Sequence, residues 1–197
     1  MTDYKREKIM SNIAIGVYCA SSDQVADIYV DTSRKLGEEM VKRGMSLVYG
    51  GGNNGLMGVL SLTIHENGGR ITGVIPKIFT DMGYAYDDVD EMIVTDGMRE
   101  RKSIMEERAD AFIAMPGGFG TLEELLEVIT FKQLKFHIKP IVILNIDGFY
   151  DGLLNQFERG YEDNFVGRKY RSLYTVSGSV RDALDTIEQS IVRKISG

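Results

Sequence analysis

The chain has 197 residues, 43% hydrophobic and 26% charged, with a net charge of −6, which suits a soluble globular protein with a sizeable core and argues against a general binder of nucleic-acid polymers. No apolar run approaches the ~18 residues of a membrane span. Cys19 is the only cysteine and the only histidines are His65 and His137, so an intrachain disulfide, a cysteine-based zinc cluster and a multi-histidine metal site are not expected.

Residues 13–20 (IAIGVYCA) are a nearly continuous apolar run, the pattern of a central parallel strand. Ser21, Ser22 and Asp23 offer caps for a helix to about residue 43, with Val25, Ile28, Leu36, Met40 and Val41 as its apolar face. Residues 46–49 form a second strand, which runs into Gly50-Gly51-Gly52-Asn53-Asn54-Gly55, and a helix follows over 56–66. Gly68-Gly69 end it, and 71–75 is a third strand stopped by Pro76. The acidic segment 81–90 reads as a loop, 91–94 as a short strand and 98–109 as a helix. Residues 111–115 (AFIAM) read as a buried strand, and the apolar period over 122–134 as a helix. A strand over 141–144, a helix over 150–159 and a closing helix over 180–195 complete the pattern. With no repeat or linker, a polar tail over 1–12 and a single domain over 13–197 are expected. That tail lacks the apolar core of a signal peptide, so the expected location is cytoplasmic.

Alternating strands and helices with short connections predict an α/β fold, a parallel sheet covered by helices on both faces. Ligands bind such sheets outside the carboxyl ends of the strands, at the topological switch point. The loops at Ser21-Ser22, at 50–55 and at 117–121 all follow strands and should converge on one edge.

Pro116-Gly117-Gly118-Phe119-Gly120-Thr121-Leu122-Glu123-Glu124 is the most informative stretch. A glycine-rich turn between a strand and a helix presents bare backbone N–H groups at a positive helix terminus, a site for phosphate. The carboxylates of Glu123 and Glu124 stand one turn further on. Structural roles remain open beside this reading. Ser21 or Ser22 can simply cap a helix, the run at 50–58 can serve a tight reversal, and Thr121 with Glu124 fits a capping box. The run at 50–58 is not a Walker loop, because no Lys-Ser/Thr follows it, and its match to the dinucleotide fingerprint lies after the second strand. Met98-Arg99-Glu100-Arg101-Lys102 places positive charge at a helix start, against the helix dipole. That is either a solvated face or a means of bringing Arg101 or Lys102 to a phosphate.

These residues carry a family resemblance. The stretch 116–124 resembles the PGGxGTxxE signature of the Lonely Guy (LOG) family, cytokinin riboside 5'-monophosphate phosphoribohydrolases and their relatives. Val17-Tyr18-Cys19-Ala20-Ser21-Ser22 resembles the family's VFCGSS, Tyr49 to Gly58 resembles YGGGxxGLMG, and Gly73-Val74-Ile75-Pro76 matches the end of its third strand. The resemblance covers roughly residues 13–160. It implies a Rossmann-like doubly wound fold, a homodimer, and hydrolysis of an AMP-like nucleoside 5'-monophosphate to free base and ribose 5-phosphate. Carried over residue by residue, it implies Arg101 and Glu124 as catalytic. Substrate contacts would come from Ser21, Gly51, Gly52, Met98, Arg101, Lys102, Gly117, Gly118, Gly120, Thr121 and Glu124. No metal and no organic cofactor is implied. Two features depart from the family: Arg99 stands where its MHxRK motif has histidine, and segment 81–90 does not follow its pattern.

The implied chemistry agrees with the residue types. Breaking an N-glycosidic bond builds positive charge on the ribose, which a carboxylate can stabilise while orienting the attacking water. Proteins with this signature have been labelled lysine decarboxylases, but no cofactor-lysine motif is recognisable here. A broader nucleoside-monophosphate nucleosidase and a non-catalytic nucleotide sensor are the other readings.

Overall fold

The computed structural model describes residues 13–196; the expected polar tail over 1–12 lies outside the described residues. In chain order the elements are β1 (Ala14–Tyr18), α1 (Asp27–Lys42), β2 (Ser46–Tyr49), α2 (Gly55–Glu66), β3 (Ile71–Pro76), α3 (Lys77–Asp81), β4 (Glu91–Thr95), α4 (Met98–Arg108), β5 (Ala111–Ala114), α5 (Phe119–Gln133), β6 (Ile141–Leu144), α6 (Asp151–Glu162), β7 (Thr175–Ser177) and α7 (Val180–Ser196). Short 3-10 turns at Ile146–Gly148 and Arg168–Leu173 flank α6.

The strands form one seven-stranded sheet in the order β4-β3-β2-β1-β5-β6-β7, every neighbouring pair parallel. Burial explains the continuous apolar runs. Along β1 and β5, Ile15, Val17, Ala111 and Ile113 enter one core with Leu36 and Met40 of α1, Leu60 and Ile64 of α2 and Leu184 of α7. Tyr18, Phe112 and Ala114 enter the other, with Met105 of α4, Leu125 of α5 and Tyr150. Successive side chains take opposite faces, and both faces are covered, so neither can be polar. The fold is therefore α/β, Rossmann-like and doubly wound. At Gly16 a Cβ would lie 2.8 Å from the Phe112 ring, which stacks on Tyr18 with centroids 5.8 Å apart. The missing side chain makes room for that aromatic layer.

The switch point lies between β1 and β5. From β1 the chain winds toward β4, and from β5 toward β7, so the loops after these strands part. Hydrogen bonds from Met115 N to Tyr18 O (2.9 Å) and from Ala20 N to Pro116 O (3.2 Å) continue the pairing just past both strands. Beyond them the crevice opens.

Several boundaries differ from expectation. The first helix begins at Asp27 with Ala26 at its N-cap and no side-chain cap, so Ser21, Ser22 and Asp23 do not cap it. Asp23 instead accepts the Gly55 N–H at 2.7 Å, and Ser22 Oγ accepts from Gln24 N at 3.2 Å. The segment after β1 is thus a loop fastened to the start of α2. On α1, Leu36 and Met40 are buried, while Ile28 in the first turn is 46% exposed. Pro76 ends β3 as its last strand residue and leads into α3, a helix too short to show a period. The three residues of β7 were likewise too few to announce a strand.

Gly55 is fixed in this arrangement. Its φ is +58°, and a Cβ there would come within 2.6 Å of the Ser21 carbonyl carbon and 2.7 Å of Ala20 O. Backbone cannot swing aside as a side chain can. Gly55→Ala should lower the unfolding free energy by about 3 kcal/mol, measured by urea denaturation. Unchanged stability would mean that the 20–22 loop yields freely.

Candidate active site

The three expected loops meet at the carboxyl edge of the sheet around a cleft of about 520 Å³. Ser21, Gly52, Met98, Arg101, Gly118, Gly120, Thr121 and Glu124 line it. Gly51, Lys102 and Gly117 do not, and each has a different position to report.

Arg101 is the centre of the arrangement. It lies in the first turns of α4 yet is only 8% exposed. Pairing between β2 and β3 ends at Tyr49 and Gly73, where the chain turns away as the glycine loop. The next carbonyl on β3, that of Val74, accepts from Arg101 Nε at 3.1 Å. Nη1 donates to Glu124 Oε1 at 2.7 Å. On its remaining side the guanidinium lies against Gly50, where a Cβ would be 2.2 Å from Nη2. A planar fork held on all three sides has its orientation decided before any ligand arrives. The positive charge at the helix start is therefore not a solvated face at Arg101. Glu100 serves the helix start itself, accepting from Asp96 N at 2.9 Å.

Glu124 is 8% exposed, in the second turn of α5. Burial raises its carboxyl above the usual glutamate value, against the opposing attraction of Arg101. The capping-box alternative fails: α5 begins at Phe119 with Gly118 at its N-cap and no side-chain cap, so Thr121 is already inside the helix. The Leu122 N–H bonds back to Gly118 O, while the amides before it have no intrahelical acceptor. The residues that carry these bare amides, Phe119, Gly120 and Thr121, line the cleft. At Gly118 and Gly120 a Cβ would meet nothing within 4 Å, so packing does not require glycine there. Gly117 is different, since a Cβ would lie 2.1 Å from Thr121 Oγ1, and its role is to admit the buried Thr121. The turn is braced from below, where Tyr150 donates its hydroxyl hydrogen to Met115 O at 2.5 Å.

Gly51 packs against β3, where a Cβ would be 2.9 Å from Ile75 Cβ. Lys102 bonds to Glu123, and its Nζ lies 3.0 Å from Glu127 Oε2. Gly50 was expected only as part of the glycine run at 50–55, and its role beside Arg101 is seen only in the structure. Sequence reasoning missed Phe79, Tyr84 and Phe119 on the cleft wall; Phe119, the first residue of α5, is 93% exposed. Cys19 also lines the cleft, but burial pushes its thiol up, with the Glu124 charge adding to this, so a thiolate nucleophile is disfavoured.

Residues 57–187 match a family model described as "Possible lysine decarboxylase". A cytokinin riboside 5'-monophosphate phosphoribohydrolase of Oryza sativa subsp. japonica is 43% identical over 177 residues, 90% of this chain and 73% of that protein. One of Arabidopsis thaliana is 40% identical over 177 residues, 90% of this chain and 83% of that protein. Among solved structures, the molybdenum cofactor binding protein of Rippkaea orientalis is similar with a TM-score of 0.71 at 24% identity, covering 91% of this chain and 98% of that one. The Moco carrier protein of Chlamydomonas reinhardtii gives a TM-score of 0.71 at 23% identity, covering 92% and 99%. At such identity the likeness concerns the fold alone. The decarboxylase description would call for pyridoxal phosphate held as a Schiff base on a lysine. No lysine is among the described residues that line the cleft, so the site does not fit that group.

The raised carboxyl of Glu124 has a sign that can be measured. The folded state holds its proton more tightly than the unfolded chain, so the stabilisation is full below the ordinary value of 4.5 and is lost as pH rises through the raised value. Glu124→Gln has no such loss. Urea denaturation of both proteins from acid to neutral pH should show the variant gaining on the wild type as pH rises above 4.5. A falling difference would mean that the attraction of Arg101 outweighs burial.

Proposed function

The chain belongs to the Lonely Guy family of cytokinin riboside 5'-monophosphate phosphoribohydrolases, and from that premise we propose that it hydrolyses the N-glycosidic bond of a cytokinin-type nucleoside 5'-monophosphate to free base and ribose 5-phosphate. The observation that carries the reading is the buried Arg101–Glu124 pair, set one turn inside a helix whose bare N-terminus opens on the same cleft.

In this reading the amides at Gly118 and Gly120, with Thr121, hold the 5'-phosphate at the positive end of α5. The ribose then lies beyond them, over Glu124, and Ser21, Gly52 and Met98 line the rest of the nucleotide. Binding at the phosphate orients the reacting carbon. As the C1'–N bond breaks, its electron pair leaves with the base and the ribose gains positive charge. Arg101 engages Glu124 Oε1, which leaves Oε2 to face that charge and to take a proton from water. The water oxygen bonds to C1', and the proton that Glu124 took passes on to the departing base, which regenerates the carboxylate. A carboxyl raised by burial is a stronger base than an exposed glutamate, which suits it to this step. The chain's own residues suffice, and no metal or organic cofactor enters the scheme.

The same reading takes residues 13–197 as one catalytic domain acting as a homodimer in the cytoplasm. Exposed apolar side chains at Leu126, Leu134, Phe136 and Ile138, on α5 and just after it, supply surface that a second copy would cover. No helix among the described residues is long and apolar enough to cross a membrane.

Incubation with AMP, GMP, CMP, UMP and N6-isopentenyl-AMP, with detection of base and ribose 5-phosphate, tests the proposal. Turnover is expected with the prenylated nucleotide. Equal turnover of ordinary monophosphates would favour a general nucleosidase, and AMP binding without any product a sensor. Glu124→Gln should lower kcat about a thousandfold with AMP affinity nearly kept; near-normal turnover would remove Glu124 from the chemistry.

A further inference from the structure

Between α5 and β6 one side chain is turned inward while its neighbours face out. Phe136 and Ile138 are exposed, whereas the His137 side chain is only 6% exposed and packs on Phe112 of β5, with ring centroids 5.7 Å apart. Both ring nitrogens are engaged. Nε2 lies 2.9 Å from the carbonyl oxygen of Val128, one turn past Glu124 on α5, and Nδ1 lies 3.2 Å from Lys139 N. A carbonyl only accepts and a main-chain N–H only donates, so Nε2 carries the ring hydrogen, Nδ1 keeps its lone pair, and the ring is neutral. From Lys139 the connection runs on to α4. Its ammonium donates to Glu106 O at 2.5 Å and to Glu107 O at 3.4 Å. These carbonyls belong to the last turn of α4, where intrahelical donors run out.

We propose that neutral His137 is a positioning residue: it pins residues 137–139 across α5 and the end of α4, so that the helices carrying Glu124 and Arg101 stay seated on each other, and a proton on Nδ1 withdraws the pin. The inference rests on the proposed hydrolysis for its kinetic readout alone. The inner pair is a 2.7 Å contact between side chains rooted on different helices, and sliding of either helix would break it. The strap joins the same two helices further along. Neither His137 nor Lys139 lines the cleft, so the strap acts from outside it.

The charged ring would carry hydrogen on both nitrogens, and the one on Nδ1 would point at that of Lys139 N. The ring can therefore gain a proton only by letting Lys139 N go. The groups that face it are Glu106 of α4, with Oε1 3.8 Å from Nε2, Lys132 of α5 and Lys139 of the strap itself. Burial holds the ring below the ordinary value of 6.5, and the charges of Lys139 and Lys132 add to this against the bond to Val128 O. As pH falls the unfolded chain takes up this proton first. The contribution of the pin is thus full above 6.5 and is lost as pH falls through the lower folded value.

The test follows wild type from neutral pH downward, by NMR of the His137 ring and by hydrogen exchange at Lys139 N. His65, the other histidine, is told apart with His65→Gln. Protection of the Lys139 amide should fall about tenfold or more, with the midpoint of the His137 ring; a different midpoint, or no fall, overturns the pin. His137→Gln is the control. Its side-chain amide sets a donor nitrogen and an acceptor oxygen on one carbon, as the ring sets Nε2 and Nδ1 on Cε1, yet it takes no proton. Lys139 should stay protected in that variant in acid, and an equal loss there would assign the change to other groups and sink the proposal. His137→Phe packs without either bond. It should lose kcat about tenfold at neutral pH with the AMP Kd within about twofold of wild type, while His137→Gln keeps most of the rate. An unchanged kcat in His137→Phe would reduce His137 to packing. If wild type shows no turnover, the proposed hydrolysis fails on its own. Positioning is then decided at the Arg101 Nε hydrogen, which Val74 O accepts. Its protection should fall in His137→Phe and in acidified wild type but not in acidified His137→Gln; equal protection in all of them overturns the inference.

Discussion

A guanidinium that is 8% exposed has lost most of its water, and the fold must supply acceptors in its place. Stripping a charge of water costs several kcal/mol, and removing one partner of a buried pair costs about 3–5 kcal/mol. For Arg101 the acceptors come from separate parts of the chain, the Val74 carbonyl on β3 and the Glu124 carboxylate on α5, and Gly50 leaves the room that Nη2 occupies. None of these is local in sequence, so the ion pair exists only when the sheet is in register and both helices are seated. A pair of apolar side chains would serve stability as well. Keeping a charge pair in this place makes sense as preorganisation: the carboxylate and its partner are already oriented and largely dry.

The glycines around the cleft divide by what surrounds them. Gly50, Gly55 and Gly117 are each pressed by a neighbour: the guanidinium, the loop after β1, and Thr121. Gly118 and Gly120 are pressed by nothing within the protein. The first group builds the site, and any side chain there would dislodge a part of it. The second group leaves backbone amides uncovered at a helix terminus, and that absence of neighbours is what an anion needs.

Much of the fold was legible because burial imposes a strong pattern. A strand covered on both faces must be apolar throughout, and residues 111–115 and 141–144 announced themselves that way. Helix starts were less legible, because short polar side chains serve more than one partner. Asp23 is an acceptable cap by type, but the Gly55 amide, distant in sequence, uses it instead. Thr121 and Glu124 fit a capping pattern by spacing, yet the helix starts earlier and Glu124 turns to Arg101. Of the site, the residues in signature motifs could be named from sequence. The engagement of Lys102 with Glu123 and Glu127 could not, since it depends on how two helices lie side by side. Gly50 was equally hidden, because a glycine's reason is written in whatever occupies the space beside it.

The cleft is polar at one end and apolar at the other, and its two walls are held by different means. At the α5 end the positions of side chains matter, and they are fixed by buried contacts. At the other end, residues 84–86 run beside the glycine loop. Asn53 N donates to Tyr84 O at 3.0 Å, Tyr86 N donates to Gly51 O at 3.0 Å, and Asn53 Nδ2 reaches Ala85 O at 3.3 Å. On the strap side every one of these bonds uses only main-chain atoms of residues 84–86. Phe79 and Tyr84, with ring centroids 6.4 Å apart, line the cleft from this side. Backbone bonds are indifferent to the side chains they carry. The wall can therefore change its residues, as segment 81–90 does relative to the family pattern, without changing where it stands. The opposite wall has no such freedom, because there the side chains themselves are the attachment. The same cleft thus combines a fixed end, where Arg101 and Glu124 are interlocked, with an end whose chemistry is free to vary on a constant frame.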